Sequence, residues 1–229
     1  MNRSIYLLPI LFLFTSITVP AQKTKSAGSS SVKKQVILSR NKSALQSYDD
    51  GNKFLASQDL KNAITKFRQA ISSDSLFTAA MDSLAGCYRI RGKVDSAVYF
   101  YNRSVSGNPK NVFAMANLGI IYVQKNDLAG AEAVYSRIVR TDPTDPDGYF
   151  GLAEVMLKTG RYEPATKNAL KAYELWKPKY PSYAGDAMLY AGIGKLMSGD
   201  KSNAVKYFTE AEKLGTKIPE EYRVNAGMK

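Results

Sequence analysis

Apolar and polar positions along this chain recur at a fixed interval. Alanines stand at Ala63, Ala97, Ala131 and Ala165, each 34 residues after the one before. Thirteen places before them come Asp50, Leu84, Leu118 and Leu152, and twelve before come Gly51, Ala85, Gly119 and Ala153. Phe54, Tyr88, Tyr122 and Met156 precede the same alanines by nine places. Four places after them come Phe67, Tyr101, Tyr135 and Ala169, and seven after come Ala70, Ser104, Ile138 and Ala172. Apolar residues at intervals of three, four and seven mark one face of a helix. Small residues at the Gly/Ala positions let two helices approach closely. Between the two helical stretches of each unit lie Gln58-Asp59, Gly92-Lys93, Asn126-Asp127 and Gly160-Arg161. Glycine and asparagine accept the left-handed backbone that ends a helix, and Pro109 and Pro143 stop the second helix near the unit boundary. Each unit therefore predicts an antiparallel helix pair, too small to bury a core alone, so that neighbours must stack.

A fifth unit follows out of step. Ala204 lies 39 residues after Ala165, which places five inserted residues around Tyr180 to Ala184. Gly192, the turn Gly199-Asp200, Phe208 and Ala211 then restore the pattern, while Lys195 replaces the usual aromatic. Terminal repeats commonly depart from consensus because one side faces solvent.

The period together with Leu118-Gly119, Tyr122, Ala131, Tyr135 and Pro143 resembles the tetratricopeptide repeat, the third unit being the best copy. The resemblance covers residues 44–218, divided into units 44–77, 78–111, 112–145, 146–179 and 185–218, with 219–229 as a C-terminal tail. The 35-residue pentatricopeptide repeat, which reads RNA, fits less well, because the spacing and the Gly/Ala–Tyr–Ala–aromatic order are those of the 34-residue motif. The implied fold is all-α: a right-handed superhelical solenoid of stacked antiparallel helix pairs, four clear units and one degenerate. The resemblance further implies a concave face lined by the first helix of each unit, where a peptide or helix of a partner protein binds. Its groove positions here are Tyr48, Asn52, Asp82, Arg89, Phe113, Asn117, Gln124, Phe150, Glu154 and Lys158. Phe113 and Phe150 weigh most, since buried aromatic anchors dominate recognition energies. Some members grip a C-terminal carboxylate with Lys and Asn. Only Asn52 and Asn117 match that arrangement, with Tyr48, Ser83 and Phe113 in its other places, so no carboxylate clamp is expected.

Composition adds exclusions. Among 229 residues there is no histidine, which removes Ser-His-Asp and Cys-His catalysis and His-ligated zinc. The single cysteine, Cys87, excludes an intramolecular disulfide and a multi-cysteine metal site; within the first helix of its unit it reads as a small buried hydrophobe. Asp142, Asp145 and Asp147 have an acidic spacing, but Pro143 and Pro146 interrupt it and no glutamate completes a calcium loop. They read as a turn and the N-cap of the next helix. No Gly-rich phosphate loop or nucleophile elbow is present. The expectation is a non-enzyme without cofactor or metal.

The net charge is +12, and half of it lies in residues 22–43, ahead of the repeats. Met1 to Arg3 form a short positive start, Ile5 to Val19 are almost wholly apolar, and Val19-Pro20-Ala21 supplies small residues where a signal peptidase cuts. The apolar run is short for the hydrocarbon core and Pro9 breaks it. A signal peptide over 1–21, cleaved near Ala21/Gln22, is the reading, with export to the periplasm or beyond. Residues 22–43 read as a flexible basic linker, carrying Lys23, Lys25, Lys33, Lys34, Arg40 and Lys42 with no acid.

The function implied is a protein-interaction scaffold in the cell envelope with a protein or peptide partner and no nucleic acid. An alternative is envelope anchoring, in which the basic arm and the stretch Lys158 to Lys179 bind anionic lipid or glycan. A third reading is self-association through the degenerate last unit, and the pattern leaves the oligomeric state open.

Overall fold

The structure is a computed structural model that describes residues 39–228. The expected signal peptide and most of the expected basic linker lie outside the described residues. Eleven helices follow one another among the described residues: α1 (Lys42–Ala56), α2 (Leu60–Ser73), α3 (Thr78–Ile90), α4 (Val94–Gly107), α5 (Val112–Gln124), α6 (Leu128–Thr141), α7 (Pro146–Lys158), α8 (Tyr162–Trp176), α9 (Pro181–Met197), α10 (Lys201–Lys213) and α11 (Glu220–Ala226). They form an all-α right-handed superhelical solenoid of stacked antiparallel pairs. Each helix packs on the next, and α7 also touches α5 and α9, so the odd-numbered helices up to α9 make one layer and the even-numbered ones the other.

Local chemistry starts and stops these helices. The carboxylate or amide oxygen of Asn41, Asp59, Asn111, Asp127, Asp145 and Asp200 accepts from a backbone N–H two or three residues on, satisfying a donor that the first turn leaves free. Within each of the five pairs the turn holds one residue at positive φ: Gln58 (62°), Gly92 (72°), Asn126 (58°), Gly160 (74°) and Gly199 (87°). The turn is the same throughout, whether or not glycine occupies it.

The repeat alanines Ala63, Ala97, Ala131, Ala165 and Ala204 are fully buried at 0 % exposure. Four large rings, Phe67, Tyr101, Tyr135 and Phe208, fill the space beside them, none more than 4 % exposed. Tyr135 lies between two glycines, Gly119 on α5 and Gly151 on α7, and a Cβ on either would fall inside its ring. In the fourth unit the sizes are exchanged. Ala169 takes the place of the ring, and Tyr190 of α9 enters the same cluster as Ala153 and Ala169. Tyr190 stands where Gly151 stands one unit earlier, once the five inserted residues are counted. Total volume is kept, which a close-packed core requires.

Two stretches take a form that the repeat pattern left open. The five inserted residues make no separate loop: α9 takes up four of them, running 17 residues where α3, α5 and α7 have 13, and α8 the fifth, with 15 where α2, α4 and α6 have 14. Pro181 at its start has a pre-set φ suited to a first helical turn. The supposed tail carries α11, whose Tyr222 ring lies 6.3 Å from Phe208 and whose Ala226 is buried. Apolar Tyr222 and Ala226 give it a face to bury, in one cluster with the preceding Ile218, and Arg223 pairs with Glu212 of α10. No helix among the described residues is long and apolar enough to cross a membrane.

Candidate functional site

The expected groove residues all stand on odd-numbered helices, but their surroundings divide them. Tyr48 of α1 is half-buried, its ring 5.0 Å from Phe77 and 5.8 Å from Phe67, and belongs to the joint between the first two units. Asp82 of α3 accepts a 2.8 Å hydrogen bond from Asn111 Nδ2, which also donates to the buried Ser104 hydroxyl at 2.8 Å. It is thereby engaged in holding α5 to α3 and α4. Asn117 donates to the Phe113 carbonyl within α5 at 2.9 Å. Asn52 and Arg89 are half-buried, and Gln124 and Lys158 are exposed near the ends of their helices.

The two aromatics separate most clearly. Phe113 remains 38 % exposed and meets the buried Tyr101 ring edge-on at 6.5 Å. It is an apolar group held from behind and open in front. Phe150 is half-buried, with Tyr190 at 4.6 Å and Trp176 at 5.1 Å. Its ring is a wall of the C-terminal half, and removing it would disturb three helices.

Around Phe150 the layer of odd-numbered helices turns acidic. Asp147, Gly151 and Glu154 occupy positions i, i+4 and i+7 of α7 and so share one face. Both carboxylates are half-buried, and neither accepts a hydrogen bond from a described residue. Burial pushes the Asp147 carboxyl up to about 7, helped by the neighbouring charge of Asp145. Burial also raises Glu154, opposed by Lys158 one turn on. Rings flank this face on either side, Tyr135 against Gly151 and Tyr190 at 4.6 Å from Phe150. Tyr135 of α6 and Tyr190 of α9, 4 % and 7 % exposed, are both held protonated by burial and by the charge of Glu154. Asp147 adds to the effect at Tyr135 and Asp186 to that at Tyr190. Neither hydroxyl has a hydrogen-bond partner among the described residues. Asp186 of α9 does have one, the Thr216 hydroxyl at 2.9 Å.

Sequence reasoning placed Glu154 and Phe150 in this site and missed Asp147, Tyr135 and Tyr190. Asp147 was absorbed into the helix start, a role that Asp145 performs by accepting from the Asp147 and Gly148 N–H groups. The usable signal was Gly151, a glycine inside a helix that needs no left-handed backbone, two turns of acid around it.

Other features fall outside chemistry. Cys87 is 1 % exposed, and burial raises its thiol to about 11, so it stays protonated. The basic stretch Lys158 to Lys179 is partly neutralised within the fold. Arg161 makes two bonds to Glu132 at 2.8 and 2.7 Å, Lys171 pairs with Glu174, and Lys177 approaches Glu210 at 3.7 Å.

Comparison with known proteins gives a consistent result. Two tetratricopeptide repeat family models match, one over residues 48–112 and one over residues 88–149. A curated relative, "Uncharacterized protein ycf37" of Guillardia theta, is 28% identical over 119 residues, half of this chain. The match spans 65% of that relative's length. Among solved structures, one described as "Crystal structure of MamA protein" is similar with a TM-score of 0.66 and 20% identity, covering 80% of this chain and 94% of that one. Another, "Crystal structure of YrrB: a TPR protein with an unusual peptide-binding site", has a TM-score of 0.64 and 16% identity, covering 80% and 91%. At these identities the likeness is one of fold.

Proposed function

Because this chain is a tetratricopeptide repeat protein, we propose that it serves as a non-catalytic adaptor that binds a peptide or helix of a partner protein along the inner layer formed by α1, α3, α5, α7 and α9. The observation that carries this reading is Phe113, open to solvent on that layer and buttressed by Tyr101. An exposed ring with a fixed back is a ready anchor, because ordering it on binding costs little. YrrB, similar in fold, is described as having a peptide-binding site; the same use of the same architecture is the natural inference here.

Export to the cell envelope is part of the proposal and rests on the positive start, the apolar run to Val19 and Val19-Pro20-Ala21. N-terminal sequencing of protein recovered outside the cytoplasm is expected to begin at Gln22. Anchoring to an anionic surface has weaker support, because Arg161, Lys171 and Lys177 already face acids of the chain itself. The basic arm remains its sole specific support.

The test is site-specific photo-crosslinking. A photoreactive side chain in place of Phe113 is expected to capture a partner that the same group in place of Tyr99, 57 % exposed on α4 in the other layer, does not. Equal capture from both positions would sink the groove as the binding face.

A further inference from the structure

We propose that the face of α7 around Gly151 is a receptor for a positively charged side chain, lysine or arginine, of the bound peptide, with Glu154 as its main partner and Asp147, Tyr135 and Tyr190 completing it. The inference deepens the groove reading and rests on it.

Two half-buried carboxylates about two turns apart share this face of α7 with two tyrosines of the flanking helices, and none of the four side chains makes a hydrogen bond or ion pair with a described residue. A carboxylate withdrawn from water is costly unless something hydrogen-bonds to it or carries opposite charge. Within the repeats that requirement is usually met: Asp82 has Asn111, Glu132 has Arg161, Asp186 has Thr216. Asp147 and Glu154 have no such neighbour, and both are pushed toward the protonated form. Lys158, the cation that bears on Glu154, is exposed and makes no ion pair among the described residues. A second and independent observation points the same way. The Tyr135 and Tyr190 rings are more than nine-tenths buried, Tyr135 against Gly151 and Tyr190 against Phe150; the charge of Glu154 acts on both hydroxyls, and neither bonds to a described residue. Buried rings on both sides, and between them carboxylates that no cation of the chain pairs, describe a socket open to a donor from outside.

The chemistry of the missing occupant follows. An ammonium offers three donors and a guanidinium five, with no acceptor to be left unpaired. Glu154 leans toward the N-terminus of α7, over Gly151, because side chains tilt that way along a helix. The cation would sit over that glycine, against Glu154 and the two tyrosine oxygens, with Asp147 adding attraction from about two turns away. Phe150 beside Tyr190 offers an apolar wall for the aliphatic stem. Phe113, on the neighbouring α5, would hold an apolar residue of the same peptide. The receptor is local: the chain as a whole is at +12, so its overall field repels cationic ligands. A preference for basic peptides can then come only from a specific acidic site.

The test uses a phage-displayed library of random dodecapeptides, selected on the purified full chain and on Glu154→Gln and Asp147→Asn variants whose helical circular dichroism matches the parent. Lysine or arginine is expected to be enriched at one position among peptides selected by the parent. Binding of a synthetic peptide from that set is expected to weaken about tenfold or more in Glu154→Gln, less in Asp147→Asn, and to be lost by changing its basic residue to methionine. Peptides that require Phe113 but show no basic preference would overturn the receptor and leave the groove reading standing. Peptides indifferent to Phe113, or no selection at all, would overturn both.

Discussion

Tyr135 and Gly151 define one another: the ring lies where a side chain on the neighbouring helix would be. Gly151→Ala builds a methyl group into that ring, and overpacking of this kind is expected to destabilise the fold by about 1–3 kcal/mol. Gly86→Ala provides the contrast. Its Cβ would meet only the Tyr101 hydroxyl, at 3.8 Å, so the better helix propensity of alanine is expected to stabilise by roughly 0.5–1 kcal/mol. Urea unfolding midpoints of the two variants check both signs. Asp147 gives a second prediction at this scale. Its carboxyl holds a proton up to about 7 in the fold, whereas in the unfolded chain it titrates near ~3.9. The native state binds more protons between those values, so this group lowers stability as pH rises from about 4 to about 7. Asp147→Asn removes the penalty. It is expected to raise the melting temperature by about 2–4 °C at pH ~8 and hardly at all at pH ~4, read from thermal melts at the two values.

Among the elements, the helices and their turns were legible because the signals are local: a 3,4,7 spacing, a cap three residues upstream, a glycine or asparagine at the turn. Gln58 shows the margin of that legibility. It adopts φ 62° with no residue preference in its favour, held by the helices on both sides. The length of α9 and the existence of α11 were not legible in the same way. Five extra residues can extend a helix or form a loop, and packing decides which. A seven-residue segment is too short to be helical by propensity, so α11 depends on Phe208 and Ile218 to receive it. Tyr222→Ala should therefore release α11 and expose the end of the stack. In a quasi-one-dimensional array the effect stays near its origin. Faster amide hydrogen exchange is expected in α9 and α10, with α1 to α4 unchanged; uniform loss of protection would contradict it.

Over the whole molecule, the solenoid was readable from its period, while the binding face was readable only in outline. Position on a helix face says which layer a side chain joins, but not whether the next unit covers it. Hence Tyr48 and Asp82, in groove register, are tied into joints between units, whereas Phe113 stays open. The rings of the acidic face were hidden for the opposite reason. Tyr135 occupies a core position, and only the packing of three helices shows where its hydroxyl ends. Continuity of the stack itself makes a prediction. Leu118 is 2 % exposed at the centre of the array, and Leu118→Asp buries a charge without a partner. A loss of more than about 4 kcal/mol is expected, visible as a collapse of helical circular dichroism at ordinary temperature.

The sealed thiol of Cys87 has a use unrelated to binding. Because α3 shuts it away at 1 % exposure and keeps it protonated, a thiol reagent can modify it only while that part of the stack is open. The chain thus carries one built-in clock, near its N-terminal end, that no engineered label need supply. Labelling rates measured with and without a bound peptide would report how firmly an occupant of the groove ties the early units to the late ones.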